Sequence, residues 1–260
     1  MLMKLLKELW QYREMMISLV KRDLKSRYKA SVLGFFWMFL NPLLQLTVYT
    51  IVFSTILKMG IDKFYLFLFV ALVPWLFFST CLTGGTGVIL SQQDMVKKIY
   101  FPREVLPLSY TISQFVNMLL SFLVIFVVII LSGTKLNAFA LAYLPLVMLI
   151  EFVLSLGVTY LVSALNVYYR DFEHILGIVS MAWMYLTPIL YPIDRVPQQY
   201  VMLMYVNPMT PVTIAYRDIL YYGRMPQAGS LLLAGGMSLG IWIAGQTVFG
   251  VLQRHFVEEL

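Results

Sequence analysis

The sequence predicts an all-α polytopic membrane protein with six transmembrane helices, an N-terminal amphipathic interface helix and a re-entrant outer loop between helices five and six. Three observations carry this. Of 260 residues, 60% are hydrophobic and 12% charged, whereas soluble domains average about 45–50% and about 25%. A soluble chain of 30.0 kDa has too little interior to hide that much apolar surface. The apolar residues also fall into six separate segments, and one span would use only about 20 residues. Soluble enzymes, secreted disulfide scaffolds and disordered tails are thereby excluded. Cys81 is the single cysteine, so no intrachain disulfide can form.

Residues 1–31 read as a basic amphipathic helix. Leu2, Leu6, Leu9, Met16, Val20 and Leu24 recur near helical spacing, with Lys4, Lys7, Gln11, Glu14, Ser18, Arg22 and Lys25 opposite. Such a helix belongs in the headgroup layer, apolar face down. Two roles stay open: a topogenic lipid anchor, or a surface that also packs on a cytoplasmic partner. The charged run lacks an apolar core of the kind a cleavable leader has, so none is expected.

The membrane unit is expected over residues 32–251, with spans near 32–57, 64–90, 108–132, 138–164, 174–191 and 229–251. Each is long enough for a core of about 30 Å at 1.5 Å per residue. The fifth is the shortest and contains Pro188. Thirteen Lys and Arg fall on the side of the N-terminus and six on the other, which places both termini in the cytoplasm. The formal charge of +6 reflects this bias, and no nucleic-acid partner is expected. Residues 252–260 form a short cytoplasmic tail.

The stretch 192–228 is too apolar for a free loop, yet Pro192, Pro197, Pro208, Pro211 and Pro226 break it. Two short helices dipping back into the outer leaflet account for both features, because irregular backbone at that depth survives only against protein or a water-filled cavity. An amphipathic surface loop is the alternative.

Chemistry-bearing motifs are scarce. There is no phosphate-cradling G-x-x-x-x-G-K-[ST], H-E-x-x-H or G-x-S-x-G. Gly84-Gly85-Thr86-Gly87 lies in an apolar span and reads as a helix break or close-packing point. His174 and His255 sit at a span boundary and in the tail. No metal site or catalytic set is read. Glu151 is the sole ionisable side chain deep within a span. Such a group is a functional candidate by default, but no second deep acid or base accompanies it, so a hydrogen-bonded structural carboxyl is favoured over a proton relay. Gly236 and Gly240 form a G-x-x-x-G that permits close helix contact.

Several stretches carry a family resemblance. Arg22-Asp-Leu-Lys-Ser-Arg-Tyr-Lys-Ala-Ser-Val-Leu-Gly34, continuing to Phe36-Trp37 and Asn41-Pro42, resembles the start of the membrane subunit of type-2 ABC exporters for polysaccharides. Met95-Val-Lys-Lys-Ile-Tyr-Phe-Pro-Arg-Glu-Val-Leu-Pro107 resembles that family's first cytoplasmic loop. Asn166-Val-Tyr-Tyr-Arg-Asp171 is similar to its second, Asn207-Pro208 with Pro211 to its outer loop, and Phe256-Val-Glu-Glu-Leu260 to its acidic ending.

The resemblance implies a homodimer with twelve spans around a central path, in a bacterial inner membrane. Two copies of a separate ATPase bind ATP and Mg, and this chain holds no cofactor. A lipid-linked polymer of O-antigen, capsule or teichoic acid type moves outward from the cytoplasmic leaflet. Lys97, Lys98, Tyr100, Phe101, Pro102, Arg103 and Glu104, with Arg170 and Asp171, become candidates for coupling to the ATPase. Tyr100 and Phe101 are its expected anchors, and the prolines stiffen the loop. Arg22, Lys25, Arg27 and Lys29 become candidates for meeting a pyrophosphate headgroup as it is taken up, although topogenesis explains the same charges. Phe36, Trp37, Trp183, Tyr185 and Tyr191 become candidates for the translocation path, since sugars stack on aromatic rings, although interfacial belts use the same residues. A type-2 exporter of a drug or small lipid, and a membrane-embedded glycosyl- or acyltransferase, are the competing classes.

Overall fold

A computed structural model describes residues 10–28, 33–56, 58 and 60–260. Among these every regular element is helical. In chain order they are α1 (Arg13–Tyr28), α2 (Trp37–Thr50, continued by a π-helical stretch Ile51–Ile56), α3 (Phe64–Gly84), α4 (Gln93–Lys98), α5 (Val105–Leu131), α6 (Ala138–Leu141), α7 (Leu144–Tyr168), α8 (Phe172–Leu186), α9 (Gln198–Val206), α10 (Met209–Leu220), α11 (Ala228–Leu252) and α12 (Phe256–Glu259).

Among the described residues, four helical stretches have the length and apolarity to cross a membrane: Phe64–Gly84, Val105–Leu131, Ala138–Tyr168 and Ala228–Glu259. The first and fifth expected spans appear as shorter apolar helices, Phe39–Ser54 and Phe172–Leu186. α8 stops at Leu186, five residues before the expected boundary, because Thr187 turns extended ahead of Pro188, whose ring disfavours helical backbone at the residue before it.

α3 is apolar all round, and nearly every side chain from Phe64 to Leu82 is buried. A helix with no polar face needs neighbours on every side, and α2, α5, α7, α8 and α10 surround it. α7 and α11 form the most extensive pair. Their close approach is made at Gly157 and Gly245: a Cβ on Gly157 would stand 2.5 Å from the Trp242 Cα, and one on Gly245 would collide with the Gly157 carbonyl. The G-x-x-x-G pair does not supply this contact, since a Cβ on Gly236 or Gly240 meets nothing within 4 Å. The Gly84 region is a helix end as well as a packing point, because α3 gives way there to two 3-10 turns and a Cβ on Gly84 would strike the Tyr110 hydroxyl.

The partly covered apolar strip of α1 includes Met15, Met16 and Leu19, which with Tyr12 just before the helix pack into this chain's own smaller core cluster. The helix lies against α5. Of the lipid anchor and the partner-packing surface open from the pattern, the structure shows a packing surface, against the chain's own third apolar segment. Leu2, Lys4, Leu6, Lys7, Leu9 and Lys29 lie outside the described residues.

Candidate functional site

Two ends of the bundle carry polar constellations. At one end, α4 and the loop that follows are mounted on the C-terminal tail. Phe101 is 6% exposed and sits in a cluster with Val96, Val105, Tyr160, Phe249 and Phe256. Rings stack edge-on through that cluster, Tyr160 to Phe249 at 5.3 Å and Phe249 to Phe256 at 5.5 Å. Polar ties reinforce it: the Arg103 guanidinium donates to the Gln253 carbonyl, and Gln253 Nε2 donates to Glu104 Oε1 at 2.7 Å. The Tyr168 hydroxyl donates to the Leu252 carbonyl at 2.9 Å.

This geometry divides the expected pair of partner-facing aromatics. Phe101 is spent inside the chain and is not available as an anchor, whereas Tyr100 is 97% exposed. Ile99, Lys97 and Lys98 are exposed beside it. Lys98 reaches Asp94 at 3.3 Å across one helical turn, an exposed pair that adds little stability. Pro102 accepts the Val105 N–H at 3.1 Å and so opens α5. Arg103 and Glu104, expected to face a partner, are turned to the tail instead. The tail residues Gln253 and Phe256 were not legible as site residues, since their partners lie about 150 positions away.

Arg170 and Asp171 are exposed at the α7–α8 junction, beside a recess of 460 Å³ that Tyr168, Tyr169, Phe172 and Ile175 also line. Arg22 lines a cleft of 290 Å³ between α1 and the ends of α3 and α5, together with Asp23, Gly84, Gly87, Ser91, Gln92, Ser109 and Tyr110. Asp23 accepts the Ser113 hydroxyl, which ties α1 to α5. Lys25 is exposed and does not line that cleft. Arg27 is in α1, but its side chain is outside the described set.

At the opposite end, residues 192–228 hold a 3-10 turn and the short helices α9 and α10. α9 has no buried residue, while nearly all of α10 is buried. Asn207 joins them. Its Oδ1 accepts Trp183 Nε1 at 2.8 Å and the Met209 N–H at 2.9 Å, and its Nδ2 donates to Thr187 Oγ1 at 2.8 Å. Trp183 also stands edge-on to Phe78 at 5.2 Å.

From α10, Tyr216 donates to Glu151 Oε2 at 2.6 Å, with both side chains fully buried. Glu151 Oε2 therefore has a hydroxyl partner, while Oε1 has none among the described residues. The next residue, Arg217, is 3% exposed. Its guanidinium donates to the carbonyls of Pro188 and Ile189, reaches those of Phe67 and Tyr191 at 3.3 Å, and lies 3.6 Å over the Phe67 ring. Among the described residues no carboxylate pairs with it directly; carbonyl dipoles and a ring face surround its charge. In the sequence Arg217 is one of the six cations on the side away from the N-terminus, and no local pattern marks this role. Asp218 pairs with Arg224 at 2.7 Å; burial raises its carboxyl above the usual range, against the opposing pull of Arg224.

The aromatic candidates do not form one set. Phe36 is exposed and Trp37 lines a polar cavity between α2, α3 and α5. Trp183, Tyr185 and Tyr191 gather near the α8 end, where the Tyr191 hydroxyl donates to the Tyr185 carbonyl at 2.7 Å.

The profile of the ABC-2 type transporter family matches residues 15–221. The chain is 34% identical over 261 residues, the whole of both chains, to the O-antigen export system permease protein RfbA of Myxococcus xanthus. It is 29% identical over 248 residues, 95% of each chain, to the O-antigen export system permease protein RfbA of Klebsiella pneumoniae. To the polysialic acid transport protein KpsM of Escherichia coli it is 21% identical over 220 residues, 82% of this chain and 84% of that one.

Proposed function

The chain belongs to the ABC-2 type transporter family, and on that premise we propose that it is the transmembrane subunit of an ATP-driven exporter of lipid-linked polysaccharide, of the O-antigen kind. The single observation that carries this is identity to an O-antigen permease along the full length of both chains. It is a permease subunit and not an enzyme. ATP and its Mg ion are held by two copies of a separate ATPase, and a second copy of this chain completes the path. Both termini face the cytoplasm of a bacterial inner membrane, in keeping with the distribution of Lys and Arg.

The geometry supports a division of labour. Tyr100, with Lys97 and Lys98, offers an exposed knob on a mount braced by Phe101, Arg103, Glu104 and the tail. A stiff mount transmits displacement, so this is the ATPase-facing element; Arg170 and Asp171 form a second contact. Arg22, on its cleft among glycines and hydroxyls, is the favoured site for a pyrophosphate-linked headgroup, with Lys25, Arg27 and Lys29 nearby in sequence. α9 and α10 form the re-entrant outer element. In support, Glu151 lies seven residues on from Leu144, the start of α7, so Tyr216 meets that helix about 10 Å from its end.

Depletion of this chain in its own cell tests the reading. Lipid-linked polymer is expected to accumulate on the cytoplasmic side while synthesis continues. Normal surface polymer after depletion refutes it.

A further inference from the structure

The cavity touched by Trp37 is unlike the rest of the interior. It measures 260 Å³ and is lined by Trp37, Asn41 and Gln45 of α2, Thr80 of α3, and Gln114, Asn117 and Ser121 of α5, among apolar neighbours. Two helices contribute lining groups at helical spacing: 37, 41 and 45 on one face of α2, and 114, 117 and 121 on one face of α5, with Thr80 alone from α3. Pro42 within α2 also faces it, and a proline there removes a ladder hydrogen bond and frees a carbonyl.

Two of these groups are held at a cost. Gln114 is 4% exposed, and its Nε2 has no hydrogen-bond partner among the described residues; the same holds for the Asn117 Oδ1. A buried amide left unpaired destabilises a fold, and an apolar residue would pack there without that penalty. One orphan is a donor and the other an acceptor, a pair that a hydroxyl satisfies from both sides. None of the lining groups is ionisable, so the site is built for a neutral ligand. The volume exceeds by several fold the roughly 30 Å³ share of one water and admits a single ring. Trp37, 36% exposed, lines the cavity on its exposed side, with the exposed Asn41 and Gln45.

We infer that this cavity is a subsite for one uncharged, hydroxyl-bearing sugar residue, gripped by carboxamides and covered by Trp37. The inference rests on the exporter reading for its biological ligand, but not for its chemistry. It assigns recognition of the glycan to α2, α3 and α5 within one chain.

Saturation-transfer NMR on the full chain in phosphatidylcholine nanodiscs tests it, with N-acetyl-D-glucosamine and methyl α-D-glucoside as probes. Transfer to ring protons is expected in the unaltered chain and is expected to fall at least fivefold in Gln114→Leu/Asn117→Leu. The exposed-mouth variant Asn41→Leu/Gln45→Leu, which leaves the buried core alone, is expected to lose it likewise and decides the matter if the first variant fails to fold. Absence of transfer in the unaltered chain, meaning a cavity of ordered water only, overturns the inference. So does equal transfer in the variants. Neither result touches the exporter reading, which depletion alone tests.

Discussion

Arg217 is where the structure makes its sharpest energetic claim. Replacing it with methionine keeps most of the apolar stem and removes the guanidinium. The carbonyls of Pro188, Ile189 and Tyr191 then lose a donor, and all three lie in the non-helical stretch after α8, where no helix ladder replaces it. The fourth acceptor, Phe67, is inside α3 and keeps its ladder bond. Orphaning a buried acceptor costs about 1–3 kcal/mol, so the buried Pro188 and Ile189 carbonyls cost roughly 2–6 kcal/mol. The lost cation–π contact with Phe67 adds about 2 kcal/mol; the part-buried Tyr191 carbonyl adds little. Against this stands relief of the desolvation penalty of a buried charge, several kcal/mol. With a total near ~6 kcal/mol and about 3 kcal/mol of relief, a loss of about 2–4 kcal/mol remains.

That loss is local, because Arg217 joins α10 to the 188–191 backbone and to α3 rather than to the whole bundle. Amide hydrogen exchange reads local opening directly. At about 1.36 kcal/mol per tenfold, exchange at Ile189–Tyr191 is expected to accelerate by roughly thirtyfold to nearly a thousandfold in Arg217→Met. Exchange in α5 is expected to stay unchanged. Arg217→Lys, with a point charge in place of a planar fork, is expected to fall between the two. Exchange at 189–191 within threefold of the unaltered chain would refute the reasoning and mean that the stretch is held by packing alone.

The other predictions use the same contrast between exposed and buried members of a pair. Tyr100→Ala is expected to leave thermal stability unchanged and to lower polymer export when the ATPase is present, whereas Phe101→Ala is expected to destabilise the chain by about 3–5 kcal/mol; equal thermal shifts in the two variants, read in detergent, would contradict the split. Glu151→Gln preserves an oxygen for the Tyr216 hydroxyl and is expected to export polymer normally, while Glu151→Leu strands that hydroxyl and is expected to lose about 1–3 kcal/mol; abolished export in a folded Glu151→Gln would restore the proton-relay reading.

What was legible in the sequence was whatever depends on local pattern. Apolar runs near 64–90, 108–132, 138–164 and 229–251 return as long helices because length and apolarity are sums over neighbours, and Gly84 ends α3 because a glycine cluster weakens a helix on the spot. The illegible features all depend on distance in the chain. Phe101 reads as an anchor until Phe249 and Phe256 cover it. Arg217 reads as a loop charge until the carbonyls of Pro188 and Ile189, 29 and 28 positions earlier, turn toward it. Gly157 and Gly245 meet across two helices, whereas the G-x-x-x-G motif, being local, drew the eye to Gly236 and Gly240.

One omission had a different cause. A search of the spans for ionisable groups finds Glu151 and passes over Asn41, Gln45, Gln114 and Asn117, which carry no charge. Yet for a conduit in a bilayer the uncharged amide is the more useful group. A buried carboxylate either finds a partner, as Glu151 does in Tyr216, or incurs a heavy penalty. A carboxamide offers donor and acceptor together at a smaller penalty, and it holds a hydroxylated ligand without trapping counter-ions. In a chain with 12% charged residues, the side chains suited to handling a neutral glycan are therefore those that a charge count overlooks. Their signature is a helical stripe of Asn, Gln, Thr and Ser within otherwise apolar spans.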